Sequence, residues 1–356
     1  MKKIAIIGAA GFVGQHLVAL LSKKDFDITV ITNHNGKMIL GKYPINIISN
    51  LNSYIKVDFD IVINLAFPAS AKPHEIYSQN DIILNIIQKL TSSSSRIIHI
   101  SSLAVFGFKL DHDQILGPIK SHHDFPYVES KLYFENKLIK IFKNNKINIV
   151  RLGNIWGPNS AVWTLQFVKK LFFMEPFCSR KSLGFSNVTE VRNVVSYIGF
   201  LINQQSVENI HYHHLAEFSH YGWNVFIKEL ENLLKIQACY QEIDVGYSYN
   251  LTTDLANILS NISPLKEAKN ILESRFLGSY LRSFINILSK NQQNRIIKKY
   301  GNKTIIRQND SSVFLNVLST KKQFINKTLS GWKPPIDFNS SMRDVGSWLN
   351  DIGYTN

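Results

Sequence analysis

Lys3-Ile-Ala-Ile-Ile7 runs directly into Gly8-Ala-Ala-Gly11-Phe-Val-Gly14, and the reading of these residues decides the fold. The first run is short, apolar and mostly β-branched, the pattern of a parallel strand buried on both faces. Gln15 to Lys24 follows with Leu17, Val18, Leu20 and Leu21 at helical spacing. Asp27 to Thr32 reads as a second strand. Strand, glycine-rich turn, helix and strand make the βαβ unit that binds a dinucleotide. Gly8 permits the tight turn, Gly11 lets the backbone approach a pyrophosphate, and Gly14 lets helix and strand pack closely. The helix N-terminus then offers free N–H groups and a positive dipole end to the phosphates. Lys2 and Lys3 ahead of an apolar run also suit a signal peptide. The glycines inside that run favour the βαβ unit instead.

An acidic residue that holds the ribose of NAD belongs at the end of the second strand. Thr32-Asn33-His34-Asn35-Gly36-Lys37 contains none. NADP(H) is therefore expected over NAD(H), with Lys37 as a source of positive charge. If Thr32 and Asn33 bond a ribose hydroxyl, NAD fits as well.

The same alternation continues outward. Asp60 to Ala66, Arg96 to Ile100 and Lys146 to Leu152 read as strands, and Asp81 to Leu90 and Tyr127 to Asn144 as helices. Repeated βα units build a doubly wound parallel α/β sheet, whose ligands lie at the carboxyl ends of the strands. A length of 356 residues suits two domains, and an apolar share of 45% excludes a disordered chain. Cys178 and Cys239 are the only cysteines, which excludes a disulfide framework and suits a reducing cytoplasm. There is no apolar run of 18 residues, so no spanning helix is expected.

Two places after strands carry chemistry. Ser101-Ser102 follows the Arg96–Ile100 run. Tyr127 and Lys131 lie four apart and share one helix face. A lysine ammonium one turn away favours the phenolate and is expected to lower the tyrosine's pKa. Such a tyrosine can move a proton to or from an alcohol or carbonyl oxygen that a serine hydroxyl holds in place.

Gly8-x-x-Gly11-x-x-Gly14, Asp60-Ile-Val-Ile-Asn-Leu-Ala66, Ile100-Ser-Ser-Leu-Ala-Val-Phe-Gly107, Tyr127-Val-Glu-Ser-Lys131 and Arg151-Leu-Gly-Asn-Ile-Trp-Gly-Pro158 occur in this order. Phe185 to Val191, Arg307-Gln-Asn-Asp310 and Gly331-Trp-Lys-Pro334 follow. The chain thereby resembles the extended short-chain dehydrogenase/reductases, the NAD(P)-dependent sugar-nucleotide epimerase and dehydratase family. The resemblance implies a Rossmann-like domain over residues 1–176. A smaller α/β substrate domain is expected over 177–356, with chain crossovers. It implies Ser102, Tyr127 and Lys131 as the catalytic residues. Gly8, Gly11, Phe12, Val13, Gly14, Thr32, Asn33, Asn50, Leu51, Leu65, Ala66 and Lys131 are implied on the cofactor. Ser102, Tyr127, Asn154 and Arg307 are implied on a nucleotide-sugar substrate, with Arg307 gripping its phosphates. The expected reaction is hydride transfer at C4 of a nucleotide-linked hexose. A 4-ketoreductase is favoured, a 4-epimerase on a nucleotide- or lipid-linked sugar is the alternative, and a non-enzymatic cofactor sensor is more remote. A homodimer is the expected assembly.

Departures narrow this reading. Asn50 stands where many relatives carry an adenine-binding Asp, a bond an amide also makes. Leu183 replaces a second phosphate-binding Arg of some relatives, with Arg180 and Lys181 nearby. Leu103 and Ala104 stand where family dehydratases carry an Asp-Glu pair, so water elimination is not expected. Of the net charge of +14, residues 265–307 hold +8, from ten Lys/Arg and two Asp/Glu. Leu265, Ala268, Leu272, Phe276, Tyr280, Phe284 and Leu288 make an apolar helical stripe within this basic insertion, about 265–303. A helix capping the substrate domain or an oligomer interface is favoured there over peripheral contact with the inner membrane face. No nucleic-acid module accompanies the charge. His211 and His213 share a strand face beside His214, but matching Cys or carboxylate spacing is missing, so no metal is expected. His122-His123 reads as loop surface, Cys178 as a small buried hydrophobe, and Trp163, Phe167, Phe172 and Phe173 as core.

Overall fold

Short β-branched runs alternate with amphipathic helices, and each run becomes a strand of one parallel sheet. The computed structural model describes residues 1–32, 34–49, 58–68, 75–107, 114–119, 126–204, 209–241 and 317–355. In chain order the first half comprises β1 (Lys2–Ile7), α1 (Phe12–Leu21), β2 (Phe26–Ile31), α2 (His34–Leu40), β3 (Asn46–Ile48), β4 (Ile61–Asn64), α3 (Ile76–Leu90), β5 (Arg96–Ser102), α4 (Pro126–Ile141) and β6 (Lys146–Leu152). There follow β7 (Asn154–Trp156), α5 (Gln166–Phe172), β8 (Phe177–Cys178), β9 (Val188–Glu190), α6 (Val191–Asn203), β10 (Ile210–Leu215), α7 (Trp223–Leu234), β11 (Tyr240–Gln241) and α8 (Phe338–Asp351).

The central sheet has seven strands in the order β10-β6-β5-β4-β1-β2-β3, all parallel. The chain leaves β1 in one direction and returns past it to β4, which puts the reversal of strand order between β1 and β4. A crevice opens at such a point, at the carboxyl ends. One face is covered by α1 and α6 through Leu17, Val18, Leu21, Val194, Ile198 and Leu201. The other is covered by α3 and α4 through Leu84, Ile87, Leu90, Phe134 and Leu138. The last sheet strand, β10, lies beyond residue 176, so the chain comes back to this sheet after building part of the second core.

That second core gathers Trp156, Phe167, Phe177, Trp223, Phe226, Val317, Leu318, Phe338 and Val345. Backbone bonds tie its distant parts together: Phe177 N–H donates to Cys239 O at 2.8 Å and Gly184 N–H to Leu318 O at 2.7 Å. Trp163 stacks on Trp223 with centroids 5.4 Å apart. Phe167 and Cys178 are fully buried there. Phe173 departs from its reading as core, because it follows the last turn of α5 and is 60% exposed.

Helix α3 begins five residues before the expected Asp81. Asn80 occupies a core-facing position otherwise taken by Ile76, Leu84 and Ile87, and so hides the periodicity. Its Nδ2 donates to Ser130 Oγ at 2.7 Å, which is how a polar side chain is tolerated between α3 and α4. The basic insertion, His122 and His123 lie outside the described residues. No helix of the described residues is long and apolar enough to cross a membrane.

Candidate active site

The glycine turn is shaped by contacts within the protein at two of its three glycines. Gly8 has φ +83°, and a Cβ there would stand 2.7 Å from Ala66 N. A Cβ on Gly14 would stand 2.5 Å from the carbonyl oxygens of Gly8 and Ala9. Gly11 is different. It is exposed, has φ −72°, and a Cβ would only approach Gly8 O at 3.3 Å. Its openness faces outward, toward whatever the turn binds. Gly11 is also the N-cap of α1, with no side-chain cap and no acidic residue in the first turn. The first N–H groups of α1 are thus left for a ligand.

Across the crevice, β5 ends at Ser102, whose Oγ accepts from Ala104 N–H at 3.2 Å and starts a short 3₁₀ turn over Leu103–Phe106. Tyr127 and Lys131 lie on the first turns of α4. The Lys131 ammonium donates to Ile100 O at 3.3 Å and lies 4.6 Å from the Phe67 ring centroid and 6.0 Å from that of Tyr127. Phe67 meets the Tyr127 ring edge-on, with centroids 5.0 Å apart. A cavity of about 150 Å³ joins the two sides, lined by Val13, Leu65, Ile100, Ser101, Ser102, Tyr127, Lys131, Leu152, Gly153 and Ile155. It sits at the carboxyl ends of β4, β5 and β6.

Electrostatics in the cavity differ from the expectation of a lowered tyrosine pKa. Burial of its hydroxyl raises the Tyr127 pKa, and the hydrogen-bonding Ser102 side chain only partly offsets this. Burial lowers Lys131 to about 8, opposed by the charge of Glu135. Only 6% of Lys131 is exposed, whereas Tyr127 leaves 42% of its surface open to the crevice. Without ligands, the tyrosine is a neutral donor beside an ammonium that is readily deprotonated.

Of the other sequence-derived residues, Phe12 opens α1 and stacks edge-on with His16 at 5.3 Å. Thr32 directly follows β2 and donates its N–H to Ile48 O at 3.1 Å. Ala66 N–H donates to Asn64 Oδ1 at 3.1 Å. Asn154 commits its amide nitrogen to Ser186 O at 2.6 Å and flanks the cavity rather than lining it. Asn33, Asn50, Leu51 and Arg307 lie outside the described residues. His213 is a packing residue, bonded to Tyr197 Oη at 2.9 Å and Asn148 Oδ1 at 3.0 Å. His214 packs edge-on against Phe106. Among the described residues no group of three or more His, Cys, Asp or Glu is placed to hold a metal.

The structure adds residues that the sequence reading passed over. Leu152 and Ile155 line the cavity and Phe67 packs on Tyr127 and Lys131, but apolar residues at and after strand ends read as core. Arg151 on β6 pairs with Glu135 on α4 at 2.7 Å, both side chains at most 2% exposed. Arg151 is held between the rings of Phe106 and Tyr212. This pair ties α4, and with it Tyr127 and Lys131, to the sheet. Its signal was the one charged residue of the Ile147–Leu152 run, which is apolar apart from Asn148 and Arg151.

The arrangement fits a dinucleotide. The narrow turn admits only glycine at two positions, the α1 N-terminus is uncapped, and the cavity leads from it to Ser102, Tyr127 and Lys131.

Comparison with known proteins agrees with this geometry. Residues 4–172 match the sequence model of the NAD dependent epimerase/dehydratase family. A curated relative, the UDP-N-acetyl-alpha-D-glucosaminuronate decarboxylase of Bacillus cytotoxicus, is 29% identical over 181 residues. The match spans 45% of this chain and 56% of that protein, little more than half of its length. Among solved structures, the UDP-N-acetylglucosamine 4-epimerase of Methanobrevibacter ruminantium, in complex with UDP-N-acetylmuramic acid, shares the fold. Its TM-score is 0.54 at 22% identity, covering 68% of this chain and 85% of that one. The UDP-glucose 4-epimerase of Bifidobacterium longum, in complex with NAD+ and UDP, gives 0.53 at 19% identity, covering 68% and 86%.

Proposed function

We propose that the chain, whose residues 4–172 match the sequence model of the NAD dependent epimerase/dehydratase family, is a member of that family and an NAD(P)-dependent oxidoreductase acting at C4 of a nucleotide-linked hexose. Its reaction is 4-ketoreduction. One observation carries the reading: a single cavity brings Ser102, Tyr127 and Lys131 to Val13, at the start of an uncapped helix. A nicotinamide bound there would supply the hydride.

The chain's own residues handle the oxygen and its proton. Ser102 Oγ orients the C4 oxygen by hydrogen bonding. Tyr127 Oη gives that oxygen its proton and is left as the phenolate. Lys131 at a pKa of about 8 is largely an ammonium at neutral pH and stabilises that phenolate. The raised Tyr127 pKa suits the direction of reduction, in which the tyrosine must begin protonated. NADP(H) is the favoured cofactor because no carboxylate follows β2 to repel a 2′-phosphate. Asn154 and Arg307 are assigned to the nucleotide side of the substrate, and the second core to its binding unit. Leu103 and Ala104 offer no groups for moving the protons of water elimination, which speaks against dehydration.

NADPH consumption with a 4-keto nucleotide sugar tests the proposal. Tyr127→Phe should lower turnover by about 1,000-fold or more, with the melting temperature unchanged. Unchanged turnover would refute the chemistry. Interconversion of C4 epimers by a tightly retained cofactor, without net NADPH consumption, would assign 4-epimerisation instead.

A further inference from the structure

β4 ends on one buried polar side chain, and β5 has one between the isoleucines of its Ile97–Ile100 run. These are Asn64 and His99, direct register partners that are 0% and 1% exposed. Asn64 Oδ1 accepts from Ala66 N–H at 3.1 Å, so the other amide atom, Nδ2, is the donor. It lies 3.0 Å from His99 Nδ1. His99 Nδ1 must therefore accept, and the ring proton sits on Nε2. Burial and the Lys131 ammonium hold the His99 pKa well below the ordinary imidazole value, so the ring is neutral.

The hydrogen-bond chain His99–Asn64–Ala66 ends beside the glycine turn, next to the cavity-lining Leu65. Ala66 N faces the space where a Cβ on Gly8 would stand, 2.7 Å away. Leu65, between Asn64 and Ala66, lines the cavity, and its N–H donates to Ile7 O at 2.9 Å. His99 also stacks on Phe134 of α4, with centroids 4.4 Å apart and planes 24° apart. The ring and the Nδ1 acceptor thus do separable work.

We infer that His99 is a positioning residue for cofactor binding, acting through Asn64 on the Leu65–Ala66 segment that walls the glycine turn. Removing the acceptor leaves Asn64 Nδ2 a buried donor without a partner. The amide then has reason to turn, and Ala66 N–H loses its anchor. The inference rests on the proposed function, because it presumes that a dinucleotide binds here.

Fluorescence titration of the full chain with NADPH and with NADH, alongside thermal melting, tests it. His99→Phe keeps a stacking ring and removes the acceptor. His99→Asn keeps an acceptor near Nδ1 and removes the ring. We expect His99→Phe to weaken binding about tenfold with the smaller change in melting temperature. His99→Asn should melt earlier yet bind within about threefold of the original chain. In an Asn64→Ala background, His99→Phe should add no further loss, since a residue acting through another is non-additive with it. Nitrogen-15 shifts should show His99 Nδ1 unprotonated at pH 7. Unchanged affinity in His99→Phe, affinity that follows melting temperature across the variants, additive losses or a protonated Nδ1 would each overturn the inference. An original chain that binds neither nucleotide would remove the proposed function, and this inference with it.

Discussion

The two sides of the cavity are built by different means. The glycine side is backbone: Gly8 and Gly14 are closed in by carbonyl oxygens and by Ala66 N, and side chains contribute little. The opposite side holds the proposed chemistry: Ser102, Tyr127 and Lys131 project from a strand end and a helix start, and Tyr127 is half open to the crevice. The first side is fixed by sterics, so a change there is felt by the fold. The second is fixed by charge and hydrogen bonding, so a change there is felt by the reaction. Gly11 lies on the first side but belongs with the second, since its openness faces outward.

Substitutions can break or sharpen this contrast. Gly8→Ala should have the largest effect, a loss of at least about 3 kcal/mol of stability in chemical denaturation. A side chain at φ +83° would also meet backbone at 2.7 Å. If Gly8→Ala were fully stable, the glycine side would not be sterically fixed. Next comes the pH dependence of reduction. Lys131 with its pKa depressed to about 8 is an ammonium below that pH and neutral above it. The turnover rate should therefore hold below about pH 8 and fall as pH rises beyond it. Lys131→Met should be slow throughout and lack that limb. A wild-type rate that is flat to pH 10 would remove the ammonium from the chemistry. The smallest structural effect is expected of Gly11→Ala. Its stability should stay within about 1 kcal/mol, while NADPH affinity falls about tenfold or more. Equal losses of stability in Gly8→Ala and Gly11→Ala would erase the distinction between them.

The sheet was legible because its strands are local apolar runs whose burial on both faces leaves no ambiguity of period. Ser102, Tyr127 and Lys131 are legible as candidates because ligands of such a sheet lie at the strand ends, where polar residues stand out, and the structure brings the three to one cavity. The second core was harder to read. Phe177 meets residue 239 and Gly184 meets residue 318, contacts across long separations that no local pattern announces. The Tyr127 pKa was misjudged for a related reason. Its sequence neighbour Lys131 argues for a lower value, but burial, a property of the assembled cavity, raises it, and the Ser102 hydrogen bond offsets this only in part. Asn64 and His99 were visible as polar interruptions of two apolar runs. Their pairing depended on the register between β4 and β5.

The central claim is that the cavity between the glycine turn and Tyr127 is where hydride reaches C4 of a nucleotide-linked hexose. Turnover of a 4-keto nucleotide sugar with NADPH deuterated at the transferable position, read by NMR of the product, tests it most directly. The expected result is deuterium on C4 of the hexose, with formation of that product suppressed in Tyr127→Phe. Deuterium retained on the nicotinamide, or found on another carbon, would contradict it.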